Sequence, residues 1–286
     1  MRSVSIVGIG RAGGALAIAL DRAGVPIEQL IYRYKPPLID GLDPRKLVPM
    51  DSLRAVSADV LIIATADQDI RSTTASLAGS TELPSVALHL SGSLDSSELS
   101  RLKSAGVNVG SMHPLVSISD AELGSGRFSG AYFCVEGDTP AVEAALSLIE
   151  SLGGLHFFIE KESKPLYHAS AVMASGNVTA LFDAAIEMLS NCGLTKEDAQ
   201  RILYPLLKST VANLSTHPTE RALTGPFVRG DEAALERHLE SFKGKITDDI
   251  RTIYLDLAER SVRLAGGDSS TDLLTAINMA KRKTGC

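Results

Sequence analysis

The chain of 286 residues is 44% hydrophobic and 22% charged, which is long and apolar enough for two domains with cores of their own. A formal net charge of -6 excludes nucleic acid as the main partner, because a phosphate backbone selects a basic face. Cys134, Cys192 and Cys286 are scattered and lack CxxC spacing, which excludes a disulfide framework or zinc site and reads as reduced packing thiols.

The N-terminus, MRSVSIVGIG, has no basic region, apolar core and cleavage site of a signal peptide. No apolar run reaches the roughly 18 residues of a membrane helix, so a cytoplasmic chain without a membrane partner is expected. SVSIVGI reads as a first strand and AGGALAIALDRAG as a helix ending at Gly24. QLIYR is a second strand, and ADVLIIATA (58–66) is the continuous apolar run of a strand covered on both faces. SVALHLSG (85–92) and VNVGSMH (107–113) follow, then GAYFCVEG (130–137) and GLHFFIE (154–160) around the helix TPAVEAALSLIESLG. Such alternation predicts an α/β fold, a Rossmann-type doubly wound, mostly parallel sheet over residues 1–160. After Glu160 the strands stop. Residues 163–193 read as one helix opening at Pro165, roughly 40 Å long. TKED (195–198) is a capping box for a helix through Leu214, and further helices are expected over 231–242, 247–265 and 270–282. Residues 161–286 are therefore expected to form a second, all-α domain.

The glycine-rich turn after the first strand carries G-x-G-x-x-G as Gly8, Gly10 and Gly13, with Arg11 and Ala12 between them. Set between a strand and a helix, this pattern cradles a pyrophosphate on backbone N–H groups and a helix N-terminus. An NAD site places an acid about 20 residues further on, to accept from the ribose hydroxyl. That position holds Arg33, with Lys35 close by. A guanidinium offers forked donors to a 2′-phosphate, so the cofactor expected is NADP(H). The missing acid also disfavours S-adenosylmethionine. Strand ends in this architecture line the ligand crevice, which puts Thr65, Ala66 and Asp67 at the cofactor, while Asp69 either borders it or caps the next helix.

Hydride transfer needs a proton donor and an anchor for the substrate. HLSGSL ends a strand with Ser91, Gly92 and Ser93, small residues that leave room for a nicotinamide ring; His89 inside the strand reads as structural. His113, held extended before Pro114, points to the site, and His168 near the start of the long helix is the candidate general acid. Ser91 is placed near the reaction. Ser93 and Ser175 are candidate substrate contacts, with Ser175 nearly aligned with His168 on the helix. Thr224, Gly225 and Arg229 in ALTGPFVRGD suit a carboxylate or phosphate, Asp231 can cap the next helix, and His238 reads as structural. No metal-ligand spacing is present.

In this order the glycine turn, HLSGSL, GSMHPLVS, YHASAVMAS and ALTGPFVRGD resemble a family of NADP oxidoreductases with a Rossmann-like N-terminal domain and a helical C-terminal domain of unknown function. The plan is similar to ketopantoate reductase, pyrroline-5-carboxylate reductase and prephenate dehydrogenase, and implies a 6-phosphogluconate-dehydrogenase-like helical domain that mediates homodimerisation. Against ketopantoate reductases, His168 falls where those enzymes carry a catalytic lysine, and Val172 and Gly176 fall on their asparagines. The reading is thus an NADPH-dependent reductase of a small oxo acid or imine in the interdomain cleft. Its alternatives are a prephenate-type dehydrogenase and a non-catalytic NADPH-binding sensor.

Overall fold

The computed structural model describes residues 2–35, 39–266 and 270–282, and Cys286 lies outside them. β1 (Val4–Val7) leads through the glycine turn into α1 (Arg11–Arg22), β2 (Ile27–Tyr32) and the short β3 (Leu47–Pro49). β4 (Val60–Ile63) is followed by α2 (Asp67–Leu77), β5 (Val86–His89) by α3 (Ser100–Ser104), and β6 (Asn108–Pro114) by the single-turn α4 (Ala121–Gly124). β7 (Tyr132–Gly137), α5 (Thr139–Ser151) and β8 (Leu155–Phe158) complete the sheet, in the order β3-β2-β1-β4-β5-β6-β7-β8. Every neighbouring pair is parallel except β6 and β7, where the connection carries only α4 and one 3-10 turn. This is the expected doubly wound, mostly parallel sheet. β3 was not foreseen: its three residues lie within a stretch too short and too proline-rich to stand out as a strand.

Side-chain alternation splits the strands between two cores. Ile6, Ile62 and Leu88 point to one face, against Leu16 and Leu20 of α1 and Leu148 of α5. Val7, Leu61, Ile63 and Ala87 point to the other, against Ile70 and Leu77 of α2 and Leu102 of α3. Each such Val, Leu or Ile side chain, withdrawn from water, stabilises the fold by about 1.5–3 kcal/mol. Because both faces are covered, β1, β4 and β5 are buried at every residue.

The helices that follow are α6 (Lys164–Ala174), α7 (Gly176–Ser190), α8 (Lys196–Thr216), α9 (Thr219–Ala222), α10 (Glu232–Phe242), α11 (Asp248–Ala265) and α12 (Ser270–Arg282). The single helix expected over 163–193 is two helices, broken at Ser175 (φ -128°, ψ -79°). Its hydroxyl bonds back to the Ala171 carbonyl and glycine comes next, both of which weaken helix continuation. The chain divides into compact units Met1–Ser175 and Gly176–Cys286, one helix later than the 160/161 boundary read from the sequence. Within the second unit, Leu235, Leu255, Val262, Leu273 and Ile277 join α10, α11 and α12. Thr195 caps α8 by accepting from the Asp198 N–H, and Asp231 caps α10 by accepting from the Ala234 N–H, as expected.

The absence of any membrane-length apolar stretch is corrected: Lys161–Ser190 passes by length and composition, through an 18-residue window of mean hydropathy 1.2. Scattered Leu, Val, Met and Phe among alanines raise its average although no run is wholly apolar. The break at Ser175, the buried Lys164, Asp183 and Glu187 all interrupt it.

Candidate functional site

The glycine turn is built as a close crossing of backbones. Gly8 (φ +90°) donates to the Ile31 carbonyl, and a Cβ on Gly13 would lie 2.0 Å from the Gly8 oxygen. Only glycine at both positions lets α1 start directly above β1. Gly10 caps α1 without a side-chain bond, no acid occupies the first turn, and open space surrounds the Gly10 Cα. Arg11 is exposed and Ala12 half-buried at this helix start, whose N–H groups face outward. Just past β2, Arg33 joins Gly8, Tyr32, Thr65, Asp69 and Thr73 around a cavity of about 110 Å³. Its guanidinium lies 3.7 Å from the Asp69 carboxylate and 5.4 Å from the centre of the Tyr34 ring. Lys35 is exposed beyond it. Thr65 Oγ1 is buried without a hydrogen-bond partner, the only such side-chain atom among the described residues. Ala66 is the N-cap residue of α2, and Asp69 sits in its first turn rather than capping it.

Across the sheet, the β5 turn is held by charges below it and a carboxylate beside it. Lys164, fully buried, donates to the Ser91 carbonyl at 3.0 Å and to Ser111 Oγ at 2.5 Å. Ser111 Oγ donates to Glu136 Oε1 at 2.6 Å, and that carboxylate also accepts from the N–H and hydroxyl of Ser96. The Lys164 ammonium and Glu136 Oε1 are 3.9 Å apart. Burial pushes the lysine pKa down, and the Glu136 carboxylate opposes that. Asp67 Oδ2 accepts from Ser91 Oγ at 2.8 Å and Ser93 Oγ at 2.7 Å, tying the β4 end to the β5 turn. The Ser91 hydroxyl is thereby engaged in holding the turn. His89 is structural, as expected: its Nδ1 accepts from the Ser91 N–H, leaving Nε2–H to donate to the Asp95 carbonyl at 3.0 Å. Burial first, then the Lys164 charge, lowers its pKa to about 4.

Two imidazoles close over Gly92. A Cβ there would lie 2.6 Å from His168 Cδ2 and 2.8 Å from His113 Nε2. The missing side chain thus makes room for His113 and His168. The rings meet edge to face with centroids 5.8 Å apart. His113 Nδ1 lies 2.6 Å from the Tyr167 hydroxyl, and burial, followed by the Lys164 charge, lowers its pKa to about 4.

Gly8, Gly13, Arg33 and Thr65 therefore gather at one end of β1, β2 and β4, and Asp67, Ser91, Gly92, Ser93, His113 and His168 at the neighbouring β5 and β6 ends. Ser175 closes α6, the helix that carries His168, and its hydroxyl donates to the Ala171 carbonyl. Thr224 and Arg229 are exposed in a turn of the helical unit, where the Arg229 N–H donates to the Pro226 carbonyl. His238 bonds the Tyr254 hydroxyl through Nδ1, a structural role as expected. A larger cavity of about 940 Å³ in the helical unit, lined by Glu232, Glu236, Glu240 and Asp272, includes none of the predicted site residues. Sequence reading missed Lys164, Glu136 and Tyr167. A lysine beside a helix-opening proline looks solvated; the available signal was Glu136, a carboxylate ending the apolar strand YFCVE and needing a buried partner.

A Rossmann-type α/β unit followed by an all-helical unit is the class of protein that these features define. Residues 131–261 match the model of a family described as a domain of unknown function (DUF2520). Among solved structures, a Thermotoga maritima protein, TM1727, is 23% identical with a TM-score of 0.69, covering 92% of this chain and 98% of its own. A Bacteroides fragilis protein described as a candidate NADP oxidoreductase is 17% identical, TM-score 0.68, with the same 92% and 98% coverage. Pyrroline carboxylate reductase of Plasmodium falciparum with NADP bound is 14% identical, TM-score 0.57, covering 93% and 98%. No curated protein matches the chain in sequence. The family resemblance drawn from the motifs is thus met by both the family model and the shared fold.

Removing one member of the buried pair should leave the other uncompensated. Lys164→Met or Glu136→Gln is expected to lower unfolding free energy by about 3–5 kcal/mol, and the double variant by clearly less than the sum. Urea denaturation reads this, and simple additivity contradicts it. Stability should also depend on pH through His89. Because its folded pKa lies below the unfolded 6.5, its contribution is complete above pH 6.5 and is lost as pH falls towards 4, by about 3 kcal/mol. An NMR titration in which His89 gains its proton near pH 6.5 in the folded chain contradicts this.

Proposed function

We infer that the chain is an NADP(H)-dependent oxidoreductase acting on the C=O or C=N bond of a small molecule, a small oxo acid or an imine. The observation that carries this reading is the Arg33 cavity, where a guanidinium, the glycine turn and the unpartnered Thr65 hydroxyl meet at the point where strand order reverses. The residues fit the cofactor. The turn at Gly8, Gly10 and Gly13, with Arg11 and Ala12, would hold the pyrophosphate; Arg33, with Lys35, would hold the 2′-phosphate; and Thr65 and Ala66 would border the adenosine half. The first turn of α1, free of acids, suits the pyrophosphate that both forms of the cofactor carry, and Arg33, where NAD sites carry an acid, favours the phosphorylated form. The fold shared with an NADP-bound pyrroline carboxylate reductase supports the same reading.

When bound, NADPH supplies a hydride. The chain's own residues do the rest. Asp67, Ser91 and Ser93 keep the β5 turn in place, Lys164 and Glu136 lock it from below, and His113 and His168 present their rings above Gly92. His168 is the general acid of this reading and His113 its neighbour at the reacting group.

The same reading includes a homodimer formed through the helical unit. Leu181 on α7 and Ile202, Tyr204, Leu206, Val211 and Leu214 on α8 are exposed, an apolar surface of the kind subunit contacts cover. Sedimentation should give twice the chain mass, and a single-chain mass contradicts it.

Cofactor choice is tested by titrating NADPH and NADH against the chain and its Arg33→Ala variant. NADPH affinity should fall about tenfold or more, a change of at least ~1.4 kcal/mol, with NADH affinity nearly unchanged. Equal changes for both would remove the clamp. Turnover is tested by NADPH oxidation over 2-oxo acids and cyclic imines, where no reduction of any compound favours a binding protein over an enzyme.

A further inference from the structure

Tyr167 is not among the groups placed at the reaction, yet it stands beside the half-buried His113 and the buried Cys134. Its hydroxyl lies 2.6 Å from His113 Nδ1, and Cys134, the buried residue of β7 paired with His113, lies on its other side as a neighbour in its electrostatics. Hydrogens can be arranged along this row in two ways. Either the phenol donates to Nδ1, or Nδ1–H donates to the phenol, whose own hydrogen then turns to the sulfur. Burial raises the pKa of both the phenol and the thiol, so each keeps its hydrogen. Sulfur is a weak acceptor and an imidazole nitrogen a good one, so the first arrangement directs the phenolic hydrogen to the better acceptor. His113 then carries its hydrogen on Nε2.

The surroundings of His113 agree with a neutral ring. Tyr167 and His168 of α6 meet it edge-on, Cys134 lies opposite it on β7, and Gly92 of the β5 turn lies beneath Nε2. The charged and titratable groups around it are Lys164, His168, Asp67 and His89. No protein acceptor among the described residues takes the hydrogen on Nε2.

We propose that Tyr167 is a positioning residue that fixes the Nε2–H tautomer of His113, and that the group this tautomer receives is a carbonyl oxygen rather than an imine nitrogen. The substrate class rests on the reductase reading above. A carbonyl oxygen offers lone pairs to Nε2–H, and that bond strengthens as negative charge builds on the oxygen. A protonated imine, the form of C=N that accepts hydride readily, carries its own N–H and would set donor against donor. Asp67, the carboxylate whose charge acts on His113, is already engaged by two serine hydroxyls through Oδ2. The site therefore takes an oxo compound.

The tautomer is read by nitrogen NMR of the full chain without cofactor at neutral pH, with His113→Gln identifying the His113 signals. Nδ1 should have a pyridine-like shift and Nε2 a pyrrole-like one, and Tyr167→Phe should move both towards an exchanging mixture. A pyrrole-like Nδ1, or unchanged shifts in Tyr167→Phe, overturns the proposal. Should Tyr167→Phe not fold, Cys134→Ala decides the same point: the Nε2–H tautomer should persist, and its loss would give control to the thiol. The substrate class is read by NADPH oxidation with 2-oxobutanoate and 1-pyrroline-5-carboxylate, extended to other 2-oxo acids and cyclic imines. Oxo acids should be reduced and imines not, and Tyr167→Phe should lower kcat on oxo acids about tenfold to a hundredfold at unchanged NADPH affinity. Preference for imines overturns the class. Reduction of none removes the reductase reading and the class with it, while the nitrogen shifts still decide the tautomer.

Discussion

The polar end of this sheet depends on one buried ammonium. Lysine is withdrawn from water only when partners replace its hydration, and Lys164 finds them on three different strands: the Ser91 carbonyl beyond β5, Ser111 on β6 and Glu136 on β7. Because those partners come from separate elements, the charge can be satisfied only when α6 and the three strand ends are correctly placed together. The demand is mutual. Glu136, ending an apolar strand, is itself held by Ser111 and Ser96 and faces the ammonium. This cluster selects one register for β5, β6 and β7 more sharply than the aliphatic cores on either face, which tolerate sliding as long as volume is conserved.

The same charge shapes its neighbours. Positive charge beneath the turn, added to burial, keeps His89 and His113 neutral. The cationic elements of the molecule thus take separate posts: Lys164 below the β5 turn as a fixed structural charge, and Arg33 at the rim of the β2 end, half in solvent and beside Asp69. A buried lysine with a full set of partners has little freedom to move, whereas an exposed arginine in a loose ion pair can exchange its carboxylate for another anion.

Much of the fold was legible in the sequence because its signals are local. Continuous apolar runs such as VLII and the G-x-G-x-x-G turn mark strands and crossings through nearest-neighbour sterics alone. The helix caps at Thr195 and Asp231 are equally local, and each took the role its spacing implied. What stayed hidden depends on contacts distant in sequence. Lys164 meets Ser91 and Ser111 across gaps of 73 and 53 residues, and nothing near it betrays that it is buried. Tyr167 read as an ordinary helix residue because its partner His113 lies 54 positions earlier. The break at Ser175 was missed for a different reason: serine and glycine are tolerated within helices, so composition alone did not distinguish a kink from a close-packed helix face.

Gly92 is, in effect, a spacer of zero thickness. Two aromatic rings rest directly on the main chain there, so their separation is governed by the path of the polypeptide rather than by any rotamer. Any side chain placed at position 92 would have to push one or both imidazoles aside, so the closeness of the pair to the β5 turn is set by the absence of a single carbon.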